Sequence, residues 1–338
     1  MSYYAGPETE SGSRHNHTTQ FEYVGINFHD FGAVFLHQHN LVSFFEQGPD
    51  ALEYFVVSAH QATGRRVVLC LDRDPVDIQP YVEVLQRCLE PSKWFVLSND
   101  YSKPVTKNTA PWPYFLIAQQ WHSNSQLGQH KHYRIGFVSG VPRPHRVNLW
   151  RAIKNHVRSN DVVVMNRFGL DTFYGDCQSE LMDFLQTQQL PWSNRPEFID
   201  QSQDQSCAHP SSSNSHPAFN ARCCINAETC DEKGPLFFSE KTWKSYISGC
   251  LTVNYGPIES PKWLADHGVE IWSGDVVCSN QQKITIIQDL FRSAVVDELY
   301  HDNLPAIKYN QHLVDSRAFL RQVIEPSISA LHNWAESR

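Results

Sequence analysis

The stretch LFFSEKTWKSYISGCLTVNYGP, residues Leu236–Pro257, has the pattern of a capped helix followed by a buried strand. Ser239 is a good N-cap residue. The apolar residues after it follow the i, i+3, i+4 spacing of a helix that packs on a sheet: Trp243, Tyr246 and Ile247. Gly249 is expected to end the helix, and Cys250–Tyr255 has the character of a buried strand. The segment therefore predicts a helix and a strand of an α/β protein.

Two charged residues open this helix. Glu240 and Lys241 lie in its first turn, where unbonded backbone N–H groups and the helix dipole favour an anion. A lysine beside such groups suits a phosphate, and a carboxylate suits sugar hydroxyls. A capped and charged helix start is also ordinary in α/β proteins, and a glutamate there stabilises the helix without any ligand. Both interpretations stay open at this point.

The composition is that of a globular protein with enough chain for two domains. The chain has 338 residues, of which 41% are hydrophobic and 12% aromatic. The formal net charge is -8, so the overall field does not attract nucleic acid or an anionic membrane. Because no long apolar run and no signal-peptide pattern occurs, we expect a soluble, cytoplasmic protein. Residues 1–19 are expected to form a disordered leader.

The nine cysteines do not follow a metal-binding pattern. Five of them fall between residues 207 and 250: Cys207, Cys223, Cys224, Cys230 and Cys250. With His209 and His216 nearby a zinc site is conceivable, but the spacings match no standard zinc motif. We therefore expect reduced, structural thiols and no bound metal.

Short apolar runs and helical patterns alternate along the chain, which predicts parallel sheets covered by helices. In the first half we expect strands at Tyr23–Phe28, Val67–Leu71 and Trp94–Ser98, helices or helix–strand pairs within Leu41–Ala59 and Ile78–Leu89, and a helix at Tyr114–His122. In the second half we expect strands at Arg134–Ser139, Asp161–Asn166, Arg222–Ala227 and Val269–Trp272, and helices at Pro144–Val157, Ser179–Gln188, Gln281–Tyr300 and Gln311–Glu336. Residues 195–222 are expected to form a flexible loop.

This order predicts two Rossmann-like domains with a ligand cleft between them. The expected boundaries are residues 20–125 for the first domain, 133–310 for the second and 311–338 for a C-terminal helix. Neither half contains a Gly-x-Gly-x-x-Gly or Walker A sequence, which argues against a dehydrogenase or a P-loop NTPase.

The segment Tyr133–Asn160 carries six basic residues and no acidic one. Ser139, Arg143 and Arg146 lie in or beside the turn after a predicted strand, where phosphates collect in α/β folds. Lys154 and Arg158 fit a solvated helix face better. For Arg143 and Arg146, a surface role and a phosphate-binding role remain equally open.

Several segments resemble motifs of the fucosyltransferase family that uses GDP-fucose to form α-1,3 or α-1,4 linkages. Phe137-Val-Ser-Gly with Arg146 seven residues after Ser139 is similar to that family's V-V-S-N…R turn. Phe238-Ser-Glu-Lys-Thr-Trp and Val253-Asn-Tyr-Gly-Pro resemble its Y-V-T-E-K-L and V-P-V-V-Y-G segments. The weaker similarities, in the same order along residues 65–275, are Val68–Pro75, Ala110–Tyr114 and Cys224–Glu228.

The resemblance implies a GT-B type nucleotide-sugar glycosyltransferase, of the fucosyltransferase family or of a related phage or viral type with the same Ser-Glu-Lys block. It implies an acceptor domain in residues 20–125 and a nucleotide-sugar-binding domain in residues 133–310. Arg146 and Lys241 would bind the diphosphate, and Glu240 the ribose hydroxyls. The other implied donor-binding residues are Ser139, Arg143, Glu228 and Ser239.

The tripeptide Asp72-Arg-Asp74 follows a predicted strand and has three interpretations. One carboxylate could act as the base that deprotonates the acceptor, with Asp74 the first choice and Asp72 the second. The pair could hold a divalent metal, or it could be a charged turn before the next helix. Because the resemblance places this segment in the acceptor domain, the base interpretation leads the metal one. Three further base candidates remain: His29, Asp30 and Glu53.

The leading hypothesis is an inverting glycosyltransferase that needs no cofactor. Its donor would be GDP-fucose-like or a UDP-hexose, and its acceptor a glycan, a glycolipid or a modified DNA base, as in some phage enzymes. The alternative from another class is a catalytically idle nucleotide-binding or scaffold protein on the same fold.

Overall fold

The computed structural model describes residues 21, 23–24, 28–37, 49–71, 77–102, 104, 106–121, 131–139, 143–166, 197–199 and 217–337. The chain divides into two compact units. The described residues of the first unit fall within Met1–Trp121 and Leu320–Arg338, and those of the second fall within His122–Phe319.

The first unit contains a four-stranded parallel sheet. Its strands are β1 (Ala33–His37), β2 (Arg66–Leu71), β3 (Trp94–Ser98) and β4 (Thr109–Pro111). They lie in the order β1-β2-β3-β4, and the register pairs Leu69 with Leu36 on one side and Val96 on the other. Because β2 and β3 are buried almost throughout, they carry continuous apolar runs instead of alternating patterns.

Helices cover this sheet. They are α1 (Pro49–Thr63), α2 (Gln79–Cys88) and α3 (Tyr114–Trp121). The core joins apolar side chains of α1, including Leu52 and Val56, to the inward residues of the strands. Tyr81 and Leu85 of α2 complete it, which explains the helical spacing of the apolar residues in that segment.

The second unit contains a five-stranded parallel sheet in the order β7-β6-β5-β8-β9. Its strands are β5 (Tyr133–Ser139), β6 (Val162–Asn166), β7 (Glu197–Ile199), β8 (Ala221–Ala227) and β9 (Leu251–Tyr255). Chain order runs outward from β5 to β7 on one side, and from β8 to β9 on the other. The direction of winding therefore reverses between β5 and β8.

Helices surround the second sheet and contribute to its core. They are α4 (Pro144–Ile153), α5 (Glu240–Ile247), α6 (Ser260–Asp266), α7 (Asn280–Arg292), α8 (Val296–Asp302) and α9 (Leu304–Val314). Leu149 and Trp150 of α4 pack with Phe137 of β5 and Phe291 of α7 in one buried cluster. A final helix, α10 (Arg317–Glu336), begins in the second unit and ends in the first.

The predicted class, α/β with parallel sheets, is confirmed. The predicted helix–strand pair of the opening segment is also confirmed, as α5 and β9. Gly249 has a φ of +69° just after α5, the left-handed conformation that favours glycine. Prediction also located β2, β3, β5, β6 and β8 to within one residue at each end. The helix expected at Ser179–Gln188 lies outside the described residues.

Two predicted strands are wrong. At the described ends of Tyr23–Phe28, Tyr23 is helical and Phe28 begins a 3-10 turn, and the first strand among the described residues is Ala33–His37. Val269–Trp272 forms no strand. There the side chain of Asn310 donates to the carbonyl of Glu270 at 2.7 Å and accepts from its N–H at 2.8 Å, so a helix side chain makes the hydrogen bonds that a neighbouring strand would supply.

The predicted helix at Gln281–Tyr300 is divided into α7 and α8. The guanidinium of Arg134, 156 residues before Leu290 in the chain, donates to the carbonyls of Leu290 and Phe291 in the last turn of α7 and of Ser293, its C-cap. A cation there stabilises the helix end. The predicted helix at Gln311–Glu336 is likewise divided into α9 and α10. Ser316 separates them, and its hydroxyl accepts from the N–H of Phe319.

The segment 195–222, expected as a loop, contributes to the second sheet in its described parts. Glu197–Ile199 pairs with β6 as an edge strand, and Ala221 already belongs to β8. Between them the 3-10 turn Pro217–Phe219 packs against the sheet, with Ala218 and Phe219 fully buried. The loop prediction rested on the polar composition of this segment, and it therefore missed these elements.

The described residues contain no helix long and apolar enough to span a membrane. In the same residues, no group of three or more histidine, cysteine or acidic side chains could hold a metal ion. The cysteines that the structure describes are free thiols, and four of those in the 207–250 cluster are buried: Cys223, Cys224, Cys230 and Cys250.

Gly136 of β5 is required by a close backbone approach. A Cβ at this position would lie 2.0 Å from the carbonyl oxygen of Ala218, so the Pro217–Phe219 turn would have to move. We expect Gly136→Ala to lower the free energy of unfolding by about 3 kcal/mol or more, measured by urea unfolding. The control is Gly64→Asn. Gly64 has a φ of +62° and open space where a Cβ would lie, so this substitution should lower the free energy of unfolding by less than about 1 kcal/mol. Equal losses of unfolding free energy in the two variants would contradict the requirement for glycine at position 136.

Candidate functional site

The reversal between β5 and β8 marks the candidate site in the second unit. In open α/β sheets, ligands bind outside the carboxyl ends of the strands where the winding direction changes. Ser139 is the last residue of β5, and Glu228 directly follows β8. Helices α4 and α5 start from the loops that leave these two strands, so two positive helix ends belong to this edge of the sheet.

The start of α4 is attached to the end of β8 by two side chains. Arg146 Nε donates to the backbone oxygen of Glu228 at 2.8 Å, and His145 Nε2 lies 3.0 Å from the same oxygen. Arg146 Nη2 also lies 3.3 Å from Thr229 Oγ1. Because Arg146 is only 2% exposed, its guanidinium fixes the turn in addition to supplying positive charge.

Glu228 connects this turn to the start of α5. Its carboxylate is fully buried and accepts from the N–H of Ser239 at 3.2 and 3.3 Å. It also accepts from the hydroxyl of Thr242 at 2.5 Å. Its own N–H donates to the carbonyl of Tyr255 at 2.8 Å. One residue therefore bonds the starts of both helices and the end of β9.

The first turn of α5 contains a buried ion pair. Ser239 is the N-cap, and its hydroxyl accepts from the N–H of Lys241 at 3.3 Å. Lys241 Nζ lies 3.2 Å from Glu240 Oε1, and the two residues are 3% and 5% exposed. Within the described residues, Glu240 is the one hydrogen-bond partner found for this ammonium, which has three N–H donors. Lys241 therefore retains donor capacity at the helix start.

A buried polar chain that sequence reasoning missed runs from Thr242 to α7. Asn254 Oδ1, in β9, lies 2.8 Å from the Thr242 hydroxyl. The side-chain amide of Asn254 donates to Asp275 at 3.3 Å, and its backbone N–H donates to Asp275 at 3.2 Å. Lys283 Nζ donates to Asp275 Oδ1 at 2.7 Å. Burial raises the pKa of Asp275, and Lys283 opposes that rise. No short motif links these residues, so the sequence alone gave no signal for them.

His145 and Tyr255 form an aromatic pair beside Arg146. Their ring centroids are 5.9 Å apart, and the Tyr255 hydroxyl donates to the His145 carbonyl at 3.2 Å. Burial lowers the pKa of His145 to about 4, against its hydrogen bond to Glu228, and Arg146 and Arg143 add to the decrease. His145 is therefore neutral near pH 7, and sequence reasoning did not select it.

The structure brings all seven predicted donor-binding residues to this edge: Ser139, Arg143, Arg146, Glu228, Ser239, Glu240 and Lys241. Arg143 is half-buried and occupies the N-cap position of α4. The proposed base residues Asp72 and Asp74 lie outside the described residues. The other base candidates lie in the first unit, where His29 and Asp30 belong to a 3-10 turn and Glu53 pairs with Arg87.

No protein-family model matches the chain, and no curated protein matches it. Among solved structures, the crystal structure of Anabaena Alr3699/HepE in complex with UDP-glucose is similar at a TM-score of 0.49 and 13% identity, over 88% of this chain and 79% of that one. T4 phage BGT in complex with UDP and Mn2+ is similar at a TM-score of 0.44 and 12% identity, over 91% and 85% of the two chains. Neither TM-score reaches 0.5.

The Thr242 hydroxyl is expected to stabilise the site because it lies between Glu228 and Asn254. Thr242→Val keeps the shape but removes the hydroxyl that donates to the buried Glu228 carboxylate, so we expect a loss of about 1–3 kcal/mol in the free energy of unfolding. The control is Thr285→Val on the exposed side of α7, which should change it by less than about 0.5 kcal/mol. Urea unfolding measures both, and a neutral Thr242→Val would contradict the role.

Proposed function

We propose that the chain is a glycosyltransferase that moves a sugar from a nucleotide sugar to a hydroxyl acceptor. The observation that carries the proposal is the meeting of two helix starts with Arg143, Arg146 and Lys241 where the sheet reverses direction. Transfer of a sugar requires stabilisation of a departing diphosphate, and cations and helix N–H groups supply this.

In this proposal Lys241 is the main diphosphate ligand. Its ammonium already lies at the positive end of α5 and retains N–H donors beside its bond to Glu240. Arg146 contributes positive charge from its buried position, and Arg143 lies three residues away at the N-cap of α4. Ser139, the last residue of β5, lies at the same edge of the sheet.

The carboxylates have separate proposed roles. Glu240 would accept hydrogen bonds from the ribose hydroxyls, since no partner for its second carboxylate oxygen is found in the described part of the chain. Glu228 has its carboxylate bonded to Ser239 and Thr242, so in this proposal it shapes the donor site and positions both helix starts. In this role Glu228 positions the two helix starts and does not itself contact the nucleotide sugar.

The proposed reaction is a single inverting displacement. Asp74, or else Asp72, would remove the proton from the acceptor hydroxyl while the nucleoside diphosphate leaves. The positive charge at the two helix starts would stabilise that leaving group, and no cofactor is required. The proposed donor is GDP-fucose-like or a UDP-hexose, and the proposed acceptor is a glycan, a glycolipid or a modified DNA base.

Nucleotide binding tests the proposal. We expect one of GDP, UDP, ADP, dTDP and CDP to raise the melting temperature with EDTA present, because a ligand at 100 times its Kd adds about 2.7 kcal/mol. Lys241→Gln should weaken that Kd at least about tenfold. Lys262→Gln, which alters an exposed pair with Asp266, is the matched control and should bind normally. Failure of all five nucleotides to bind would reject the proposal and favour the idle-protein alternative.

The base assignment is tested by activity. With the nucleotide sugar chosen by the binding panel and a set of glycan and hydroxymethylated-DNA acceptors, Asp74→Asn should lower kcat at least about a hundredfold and leave donor Kd unchanged. Asp72→Asn is the companion variant and takes the larger loss if Asp72 is the base. Full activity in both variants would remove this segment from catalysis.

A further inference from the structure

His145 combines features that a merely structural histidine does not need. It lies in the first turn of α4, between Arg143 and Arg146, at the edge of the sheet where the donor is proposed to bind. The side chain is partly exposed, unlike that of Arg146.

The hydrogen bond to Glu228 defines the tautomer of the ring. A carbonyl oxygen only accepts, so His145 Nε2, 3.0 Å from the Glu228 oxygen, carries the proton. In a neutral imidazole the other nitrogen, Nδ1, then has a free lone pair and is an acceptor. Within the described residues, no second hydrogen bond to this ring is found.

The surroundings keep the ring neutral and oriented. Tyr255 packs against it and bonds its backbone carbonyl. The charged groups that act on it are Arg143 and Arg146, which disfavour protonation, and Asp231, which favours it; burial is the largest influence, and the resulting pKa is about 4. The ring thus offers an acceptor between two arginines, whose guanidinium groups only donate.

We propose that His145 is a specificity-determining residue whose Nδ1 accepts a hydrogen bond from a hydroxyl of the nucleotide sugar. The inference rests on the proposed function and concerns a donor hydroxyl of the ligand, for which the positive residues provide no acceptor. Arg143, Arg146 and Lys241 donate to phosphate oxygens but cannot accept from an O–H group. A hydroxyl next to the diphosphate, on the ribose or on the transferred sugar, provides the matching donor.

Two substitutions separate the acceptor from the bond to Glu228. His145→Gln can keep an N–H near the Nε2 position and so retain the bond to Glu228, but it has no acceptor at Nδ1. His145→Asn places an oxygen near the Nδ1 position and loses the bond to Glu228. Calorimetric titration of the wild type and both variants would use UDP, UDP-glucose, GDP, GDP-fucose and inorganic pyrophosphate as probes.

We expect His145→Gln to weaken the preferred nucleotide sugar about threefold to tenfold and pyrophosphate by less than about twofold. His145→Asn should restore part of the lost affinity. A loss already present with the bare nucleotide assigns the bond to a ribose hydroxyl, and a loss confined to the sugar conjugate assigns it to the sugar. The ratio of wild-type to His145→Gln affinity should stay constant between pH 6 and 8, because the ring does not titrate there.

Three results would overturn the proposal. Unchanged nucleotide-sugar binding in His145→Gln would remove His145 from recognition while leaving the proposed function intact. An equal loss for pyrophosphate would show a general effect on the phosphate site. Binding of none of the probes by the wild type would reject the proposed function and this inference together.

Discussion

The buried carboxylate of Glu228 is the constraint on which the candidate site depends. A fully buried carboxylate is costly unless charge or hydrogen bonds compensate for lost hydration. Here the compensation comes from the N–H of Ser239 and the hydroxyl of Thr242, at the positive end of α5. The backbone oxygen of the same residue receives Arg146 and His145 from α4. A shift of Glu228 would therefore disturb two helix starts at once.

Another fully buried acid, Asp275, supports this arrangement. Lys283 and Asn254 bond its two oxygens, and Asn254 contacts the hydroxyl that serves Glu228. Removal of one partner from such a buried ionic group typically costs about 3–5 kcal/mol, because a charge is then left without compensation. The chain from Lys283 to Glu228 consequently fixes the side of α5 that faces β9. Because Thr242 directly follows Lys241, this support reaches the first turn of α5, which contains the ion pair.

The sequence predicted the features that arise from neighbouring residues. The cap at Ser239, the helix stop at Gly249 and the strands β2, β3, β5, β6, β8 and β9 follow from local patterns, and the structure contains them. It could not predict contacts between distant residues. Arg134 ends a helix that begins 146 positions later at Asn280, because its guanidinium reaches carbonyls that no local pattern identifies. The same reason explains why Asp275 was missed and why Asn310 replaces a strand neighbour at Glu270.

The candidate site therefore contains two kinds of charge. Glu228, Asp275 and Arg146 form hydrogen bonds within the fold, so they are positioned before any ligand binds. Preorganised groups of this kind act without further reorganisation. Lys241 and Glu240 pair with each other in the first turn of α5, where a phosphate and a hydroxyl could each replace one partner. A nucleotide sugar carries both groups in one molecule. Separation of the ion pair would then be compensated at both ends, whereas a simple anion would compensate only Lys241 and leave Glu240 buried without its cation.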